Sequence, residues 1–335
     1  MEKIRAALIG CGHIHSLHTR AIAVLPHVEI VAVCDEIKER AEKTAEEFSC
    51  RVYTDWKEMC QAPDIDVIHI ATPHYLHAPM AIYAMEQGKH VLTEKPMAIK
   101  YEDALAMNEA ARKTGKTLGV IFQNRTNPGS VLIKETLESG KLGKVLCAKC
   151  ALYWDRPDSY YAKDNWHGTW EREGGGVLMN QSIHTLDLMY YLCGDFKTLE
   201  GSVALRRNKD VIEVEDTAEA TIIFENGIEG IFYATNCNFK DSSVQVELFF
   251  EKASFLLYKD ALYIHGKNGL EMLVNNSDYT KTEGKACWGN GHVMMMTAFY
   301  NAIQGGDDYY CDVKDAVPVL KMIGEIYNTS ANKLR

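Results

Sequence analysis

"GCGHIHSLH" (residues 10–18) decides how the first third of the chain folds, because it admits two incompatible readings. In one, Gly10 and Gly12 open a glycine-rich turn that cradles a dinucleotide pyrophosphate. In the other, His13, His15 and His18 are metal ligands, as in barrel hydrolases that place His-x-His after a first strand. A phosphate cradle needs a strand before the glycines, a helix after them and an acidic residue ending the next strand. "RAALI" (5–9) precedes Gly10, an amphipathic stretch starts near His13, and Asp35 follows "VEIVAVC" (28–34). Gly10 then permits the tight turn. Gly12 lets backbone N–H groups and the helix N-terminus approach the pyrophosphate, with His13 and Ile14 beside it. Asp35 would accept hydrogen bonds from the ribose hydroxyls. Followed by Glu36 and no arginine, it would repel a 2′-phosphate, so NAD is expected over NADP. The third glycine is replaced by His15, which keeps helix and strand slightly further apart. The metal reading demands ligands on many later parallel strands, and spacings of two and three do not make one ligand face on a helix. No metal is expected, and the three histidines read as helix-start and surface residues.

Strand and helix patterns alternate beyond this point. "EIKERAEKTAEEF" (36–48), "YLHAPMAIYAMEQG" (75–88) and "YEDALAMNEAARKTG" (101–115) read as helices. "DVIHIATP" (66–73), "KHVLTEKP" (89–96) and "KTLGVIFQN" (116–124) read as strands between and after them. Such alternation implies a doubly wound parallel sheet. After residue 125 comes one helix, "VLIKETLESGKLG" (131–143), and then strands dominate. "TAEATIIFENGIEGIFYATN" (217–236) alternates on both sides of Asn226-Gly227, a pair suited to a tight hairpin. "SVQVELFFEKASFLLYKDALYIHG" (243–266) continues with hairpins. "GGGVLMNQSIHTLDLMYYLCG" (174–194) reads as a helix throughout, and two late helices surround residues 292–306 and 313–328. The expected fold class is α/β: a Rossmann domain over 1–124, then an α+β domain over 125–335 with a largely antiparallel open-faced sheet. The last helix is free to pack back on the first domain.

A chain of 335 residues exceeds one comfortable core. The net charge of −10 argues against nucleic acid or an anionic membrane surface as partner. No apolar run reaches the roughly 18 residues needed to span a bilayer, and the opening residues lack a signal-peptide pattern. Of ten cysteines only Cys147 and Cys150 form C-x-x-C, inside an apparent strand where an odd spacing sends them to opposite faces. Reduced thiols and a cytoplasmic location are expected.

Two places carry chemistry. Lys95 follows the carboxyl end of a parallel strand, where ligands bind in open α/β sheets. Hydride transfer from an alcohol carbon needs a group that removes the hydroxyl proton as the hydride leaves. Asn180, His184, Asp187 and Tyr191 recur at helical spacing and form a polar stripe that needs partners. Three glycines before the stripe would let backbone come close to a ligand.

With "VIHIATPHYLHAPMAIYAMEQGKHVLTEKP" (67–96), "GGGVLMNQSIHTLDL" (174–188) and "GHVMMMTAFYNAI" (291–303), the chain resembles the Gfo/Idh/MocA family of oxidoreductases. This is the group of glucose–fructose oxidoreductase and inositol dehydrogenase. The resemblance implies NAD(P)-dependent oxidation or reduction, mostly of sugars and polyols, and a C-terminal open sheet that makes a homodimer or homotetramer. It also implies that Thr72, Pro73 and His77, with Glu94 and Lys95, line the cofactor. Lys95 and His184 become the catalytic pair, the first polarising the reacting oxygen and the second moving its proton. The family's third member is an aspartate, and here that position is Asn180. Asparagine can orient an imidazole but cannot stabilise its charge, so either His184 is less basic or Asp187 supplies the charge. Asn124 and Arg125 are expected at nicotinamide or substrate. In "YWDRPDSYYAKDNWHGTW" (153–170), six aromatics lie among polar residues, and Trp166 and His167 are the candidates for sugar contact. His292 reads as a structural histidine. Two alternatives stay open: a nucleotide- and sugar-binding sensor on the same fold, and glycoside oxidation–elimination that recycles NAD.

Overall fold

The computed structural model describes residues 3–275 and 291–333. They fall into two compact units, one of residues 3–122 with 292–317, the other of residues 123–275 with 291 and 318–333.

The first unit is built on six parallel strands: β1 (Ile4–Ile9), β2 (Val28–Cys34), β3 (Arg51–Tyr53), β4 (Val67–Ile70), β5 (His90–Thr93) and β6 (Leu118–Val120). Their spatial order is β3-β2-β1-β4-β5-β6, so the winding reverses between β1 and β4. The strands are apolar runs because both faces are covered, and all four residues of β4 are buried. The covering helices are α1 (His15–Ala23), α2 (Lys38–Phe48), α3 (Trp56–Gln61), α4 (His77–Glu86) and α5 (Tyr101–Thr114). Local sequence sets their ends. Asp55 caps α3 by accepting from the Lys57 N–H at 2.8 Å. α5 has Glu102 and Asp103 in its first turn, Arg112 and Lys113 in its last, and stops on Gly115 at φ 65°. β3 and α3 are absent from the sequence reading; three residues are too few to show a period.

The second unit holds an eight-stranded sheet: β7 (Val145–Tyr153), β8 (Phe196–Ala204), β9 (Thr217–Phe224), β10 (Glu229–Thr235), β11 (Gln245–Phe250), β12 (Ser254–Tyr258), β13 (Ala261–Gly266) and β14 (Gly269–Asn275). The order is β14-β13-β12-β11-β7-β10-β9-β8, with only the β7–β10 pair parallel. Alternation along β9 buries Ala218, Ala220, Ile222 and Phe224 and turns Glu219, Thr221 and Ile223 outward. Cys147 and Cys150 fall on opposite faces of β7, and every cysteine among the described residues is a free thiol. The helices are α6 (Pro128–Ser139), α7 (Asp158–Tyr161) and α8 (Ile183–Cys193).

The stretch 174–194 is helical only from Ile183. Gly174 and Gly175 take φ of 84° and 155°, and the N–H groups of Gly176 and Leu178 donate to the Glu215 carboxylate at 3.0 Å. Those donors are thereby taken from an earlier helix start. The last helices are α9 (Gly291–Ile303) and α10 (Val313–Lys333). In the first unit, α9 lies against β6: a Cβ on Gly119 would come within 2.8 Å of Phe299. Val120 donates its N–H to the Cys311 carbonyl at 2.9 Å. Among the described residues no helix is long and apolar enough to cross a membrane.

Candidate active site

The glycine turn leaves β1 at the point where the winding reverses. Gly10 has φ 96°, and a Cβ there would meet the Ala71 carbonyl oxygen at 2.4 Å, so only glycine fits. A Cβ on Gly12 would meet nothing within 4 Å, which leaves that side of the turn open to a ligand. Ile14, at the N-cap of α1, provides no side-chain cap; the Leu17 N–H donates to the Ile14 carbonyl at 3.0 Å, and the N-terminus of the helix faces the turn with the positive end of its dipole. Asp35 is fixed by two backbone donors, Cys11 to Oδ2 at 2.8 Å and Ile37 to Oδ1 at 2.9 Å. Each oxygen keeps acceptor capacity for a ribose hydroxyl. These residues fit a dinucleotide.

The three histidines of the turn part company. His13 is exposed and His15 half-buried, its Nδ1 against the Gly12 carbonyl. His18 is fully buried, which corrects its reading as a surface residue. Its Nε2 meets Glu94 Oε1 at 3.0 Å and its Nδ1 meets His69 Nδ1 at 2.9 Å. His69 Nε2 meets the Tyr300 hydroxyl at 2.7 Å. His292 stands 3.7 Å from the same Glu94 oxygen. Burial alone would raise the Glu94 carboxyl; the hydrogen bonds and charges of His18 and His292 outweigh it and hold the group well below the usual carboxylate range. Burial pushes His69 well below the ordinary histidine value. The sequence held one clue to this chain of contacts, a histidine inside the buried apolar strand "VIHI", which must find a partner. Among the described residues no three His, Cys, Asp or Glu side chains could together hold a metal ion.

Glu94 also braces the turn it opens. Its Oε2 accepts from the backbone N–H of Lys95 at 3.3 Å. His77 bridges Pro96 and Thr72, with Nδ1 at 2.7 Å from one carbonyl and Nε2 at 2.8 Å from the other. The Thr72-Pro73 loop after β4 and the Glu94-Lys95-Pro96 turn after β5 are therefore tied together at the carboxyl end of the sheet. Burial lowers the His77 pKa, against the pull of the two carbonyls.

In the second unit His184 lies buried in the first turn of α8. Asn180 does not sit on the helix; in the turn before it, its Nδ2 donates to Glu173 Oε1 at 2.6 Å. Sequence reasoning missed Glu173, which is 1% exposed and next to the glycine run. Arg125 and Asp187 hold each other, through Nε to Oδ2 at 2.9 Å and Nη2 to Oδ1 at 2.6 Å, with side chains 1% and 0% exposed. The Arg125 guanidinium also covers the Tyr191 ring at 4.9 Å. Asn124 is buried and borders a cavity of about 70 Å³ with Asn127, Ser130 and Thr185. The Trp166 and His167 rings lie 3.7 Å apart, and His167 Nδ1 meets Asp164 at 2.8 Å.

Two family models match the chain. Residues 4–122 match one described as oxidoreductase family, NAD-binding Rossmann fold, and residues 131–256 match the GFO/IDH/MocA C-terminal domain. An uncharacterized oxidoreductase, YrbE, of Bacillus subtilis is 30% identical over 76% of this chain and 73% of its own length. The D-glucoside 3-dehydrogenase of Escherichia coli is 26% identical over 99% of this chain and 97% of its own. The WlbA dehydrogenase of Bordetella pertussis, solved with NADH and UDP-GlcNAcA, superposes with a TM-score of 0.86 at 27% identity, covering 99% of this chain and 98% of the other. With its NAD-binding cradle and its one-sided second sheet, the chain belongs to the Gfo/Idh/MocA family of oxidoreductases, the sugar and polyol dehydrogenases.

Proposed function

We propose that the chain is an NAD-dependent dehydrogenase moving a hydride between nicotinamide and the carbon of a sugar, polyol or glycoside hydroxyl. The observation that carries this reading is the braced Glu94-Lys95-Pro96 turn at the carboxyl end of the same parallel sheet that holds the Gly10–Asp35 cradle. The bound nicotinamide supplies the hydride acceptor. Lys95 polarises the hydroxyl oxygen, and His184 takes its proton during oxidation and returns it during reduction. Thr72, Pro73 and His77 line the cofactor, and Asn124 reaches the same region. Trp166 and His167 present ring faces to the C–H side of a sugar. The buried Asp35 carboxylate favours NAD, since a 2′-phosphate there would meet an uncompensated negative charge. The outward face of the second sheet, where Ile223 and Ile231 are 40% and 48% exposed, supports association into a homo-oligomer. A relative that acts on D-glucosides and another crystallised with a nucleotide sugar support the substrate class.

The test is NADH formation across a panel of glucosides, inositols and free sugars. The wild type is expected to release NADH in proportion to sugar oxidised, and His184→Ala to lose about 10²–10⁴-fold in kcat while keeping its fold. Near-full turnover in a folded His184→Ala protein removes the assignment. NAD binding without any NADH signal across the panel would favour a sensor, and turnover without net NADH would favour oxidation–elimination.

A further inference from the structure

We propose that Tyr300 is a positioning residue for Glu94: through His69 it keeps His18 uncharged, so the carboxylate beside Lys95 retains its negative charge. The placement of the protons rests on contacts within the first unit. Only its consequence for the cofactor rests on the dehydrogenase reading.

These side chains form a single line of hydrogen bonds. The Tyr300 hydroxyl lies 2.7 Å from His69 Nε2, His69 Nδ1 lies 2.9 Å from His18 Nδ1, and His18 Nε2 lies 3.0 Å from Glu94 Oε1. Tyr300 comes from α9, His69 from β4 and His18 from α1, and all three are fully buried. Imidazole protons are placed by following such a line from its ends. At one end Glu94 is held ionised and can only accept, so His18 Nε2 carries a proton. At the other, burial raises the Tyr300 phenol well above its usual value, so its proton stays on oxygen. That proton has no acceptor besides His69 among the described residues, and a buried O–H left without one is costly. Tyr300 therefore donates to His69 Nε2. Burial keeps His69 neutral, so its one proton sits on Nδ1 and is donated to His18 Nδ1. His18 is left with a bare Nδ1 and a single proton on Nε2. It is uncharged.

Charging His18 would put a second proton on Nδ1 and reverse the bonds beyond it. His69 would then donate to the phenol oxygen, and the Tyr300 proton would have no acceptor. The phenol thus opposes the imidazolium. The His18 charge that helps hold Glu94 ionised belongs to this reversed line, reached in acid. A phenylalanine at position 300 has no such proton to place, so the bias disappears and His18 charges more readily. The other titratable groups facing the line are the same with either residue. His292 stands 3.7 Å from Glu94 Oε1, and Lys95 and His77 belong to the braced turn. His27 lies edge-on to the Tyr300 ring, centroids 6.4 Å apart, without a hydrogen bond to its hydroxyl. The consequence concerns the redox form of the cofactor. Nicotinamide carries a positive charge only when oxidised, so a net negative charge at this end of the sheet favours NAD over NADH. A charged His18 cancels that preference.

A joint neutron and X-ray structure of the deuterium-exchanged protein near neutral pH reads the placement without cofactor or substrate. Expected are deuterons on Tyr300 Oη, His69 Nδ1 and His18 Nε2, with His69 Nε2 and His18 Nδ1 bare. A deuteron on His18 Nδ1 overturns the proposal. Calorimetric titration with NAD and with NADH then compares the wild type with Tyr300→Phe, which keeps the ring. At about pH 6 the variant should lose about threefold to tenfold in its preference for NAD over NADH. At about pH 9, where histidines are uncharged, the two proteins should agree. A preference unaffected at the lower pH, or lowered equally at both, also overturns the proposal, because a merely structural loss does not follow the histidine charge. Should Tyr300→Phe fail to fold, the wild-type deuteron map alone decides. A wild type that binds neither nucleotide would end the dehydrogenase reading, and the map would still decide where the protons lie.

Discussion

An alanine at position 10 would have to hold φ near 96° with its Cβ 2.4 Å from a backbone oxygen that cannot move aside. Gly10→Ala is therefore expected to weaken NAD binding at least about tenfold and to cost roughly 1–3 kcal/mol of stability. Calorimetric titration with NAD and thermal unfolding check the two effects separately; undiminished affinity would mean that the turn is no cradle. The turn at Gly10 and the place of Asp35 at the end of β2 were legible in the sequence because they depend on near neighbours, a strand on one side and a helix on the other. His18 was not. Spacing tells which side of a helix a residue occupies, but not what packs there, and His69 and Glu94 come from distant parts of the chain. The same limit hid the Arg125–Asp187 pair, the first expected at nicotinamide or substrate and the second offered as a charge for His184. It hid Glu173 as well, although a carboxylate beside three glycines and an amide in place of an acid were both in plain view.

Among the elements, periodicity served well wherever a segment was long enough. The parallel strands announced themselves as apolar runs, and β9 and β10 as alternation about a turn at Asn226-Gly227. The start of α8 failed for a chemical reason: Val177, Leu178 and Ile183 keep an apolar spacing, while Glu215, far along the chain, competes for the N–H groups that a helix would have used. Helix α8 is in turn pinned by Asp187, whose charge is buried against Arg125 of the short turn before α6. Breaking one side of such a pair leaves the other charge stranded in the interior. Arg125→Met is expected to destabilise by about 3–5 kcal/mol, and Arg125→Met/Asp187→Leu to recover most of the loss. Urea unfolding of the three proteins decides; a double variant as unstable as the single one would mean that packing, not charge, holds α8 in place.

For the molecule as a whole, Glu215 ties stability to pH. Its carboxyl ionises at about 7 when folded against a usual 4.5, because burial penalises the anion more than its backbone donors reward it. Between those values the unfolded chain has lost the proton and the folded one keeps it, so stability falls as pH rises from about 4.5 to 7 and is flat beyond. Glu215→Gln mimics the protonated acid and should match the wild type near pH 4.5 and exceed it above pH 7 by roughly 2–3 kcal/mol. Denaturation curves at both pH values test this, and a variant equally stable at the two ends relative to wild type contradicts it. The sequence reading left the last helix free to return to the first domain; the segment that clusters with the first unit is 292–317, ahead of most of that helix.

That return bears on how the protein is made. Strand β6 emerges from the ribosome long before Phe299 can seat against Gly119 or Cys311 can accept from Val120. At about 5–20 residues per second the delay is on the order of ten seconds. Throughout it, the nascent sheet has an open edge beside an unfilled apolar seat, a template for wrong pairing. Synthesis of this chain thus includes a vulnerable interval that ends only with its last helices, and a fragment stopped after β6 would carry that exposed edge permanently.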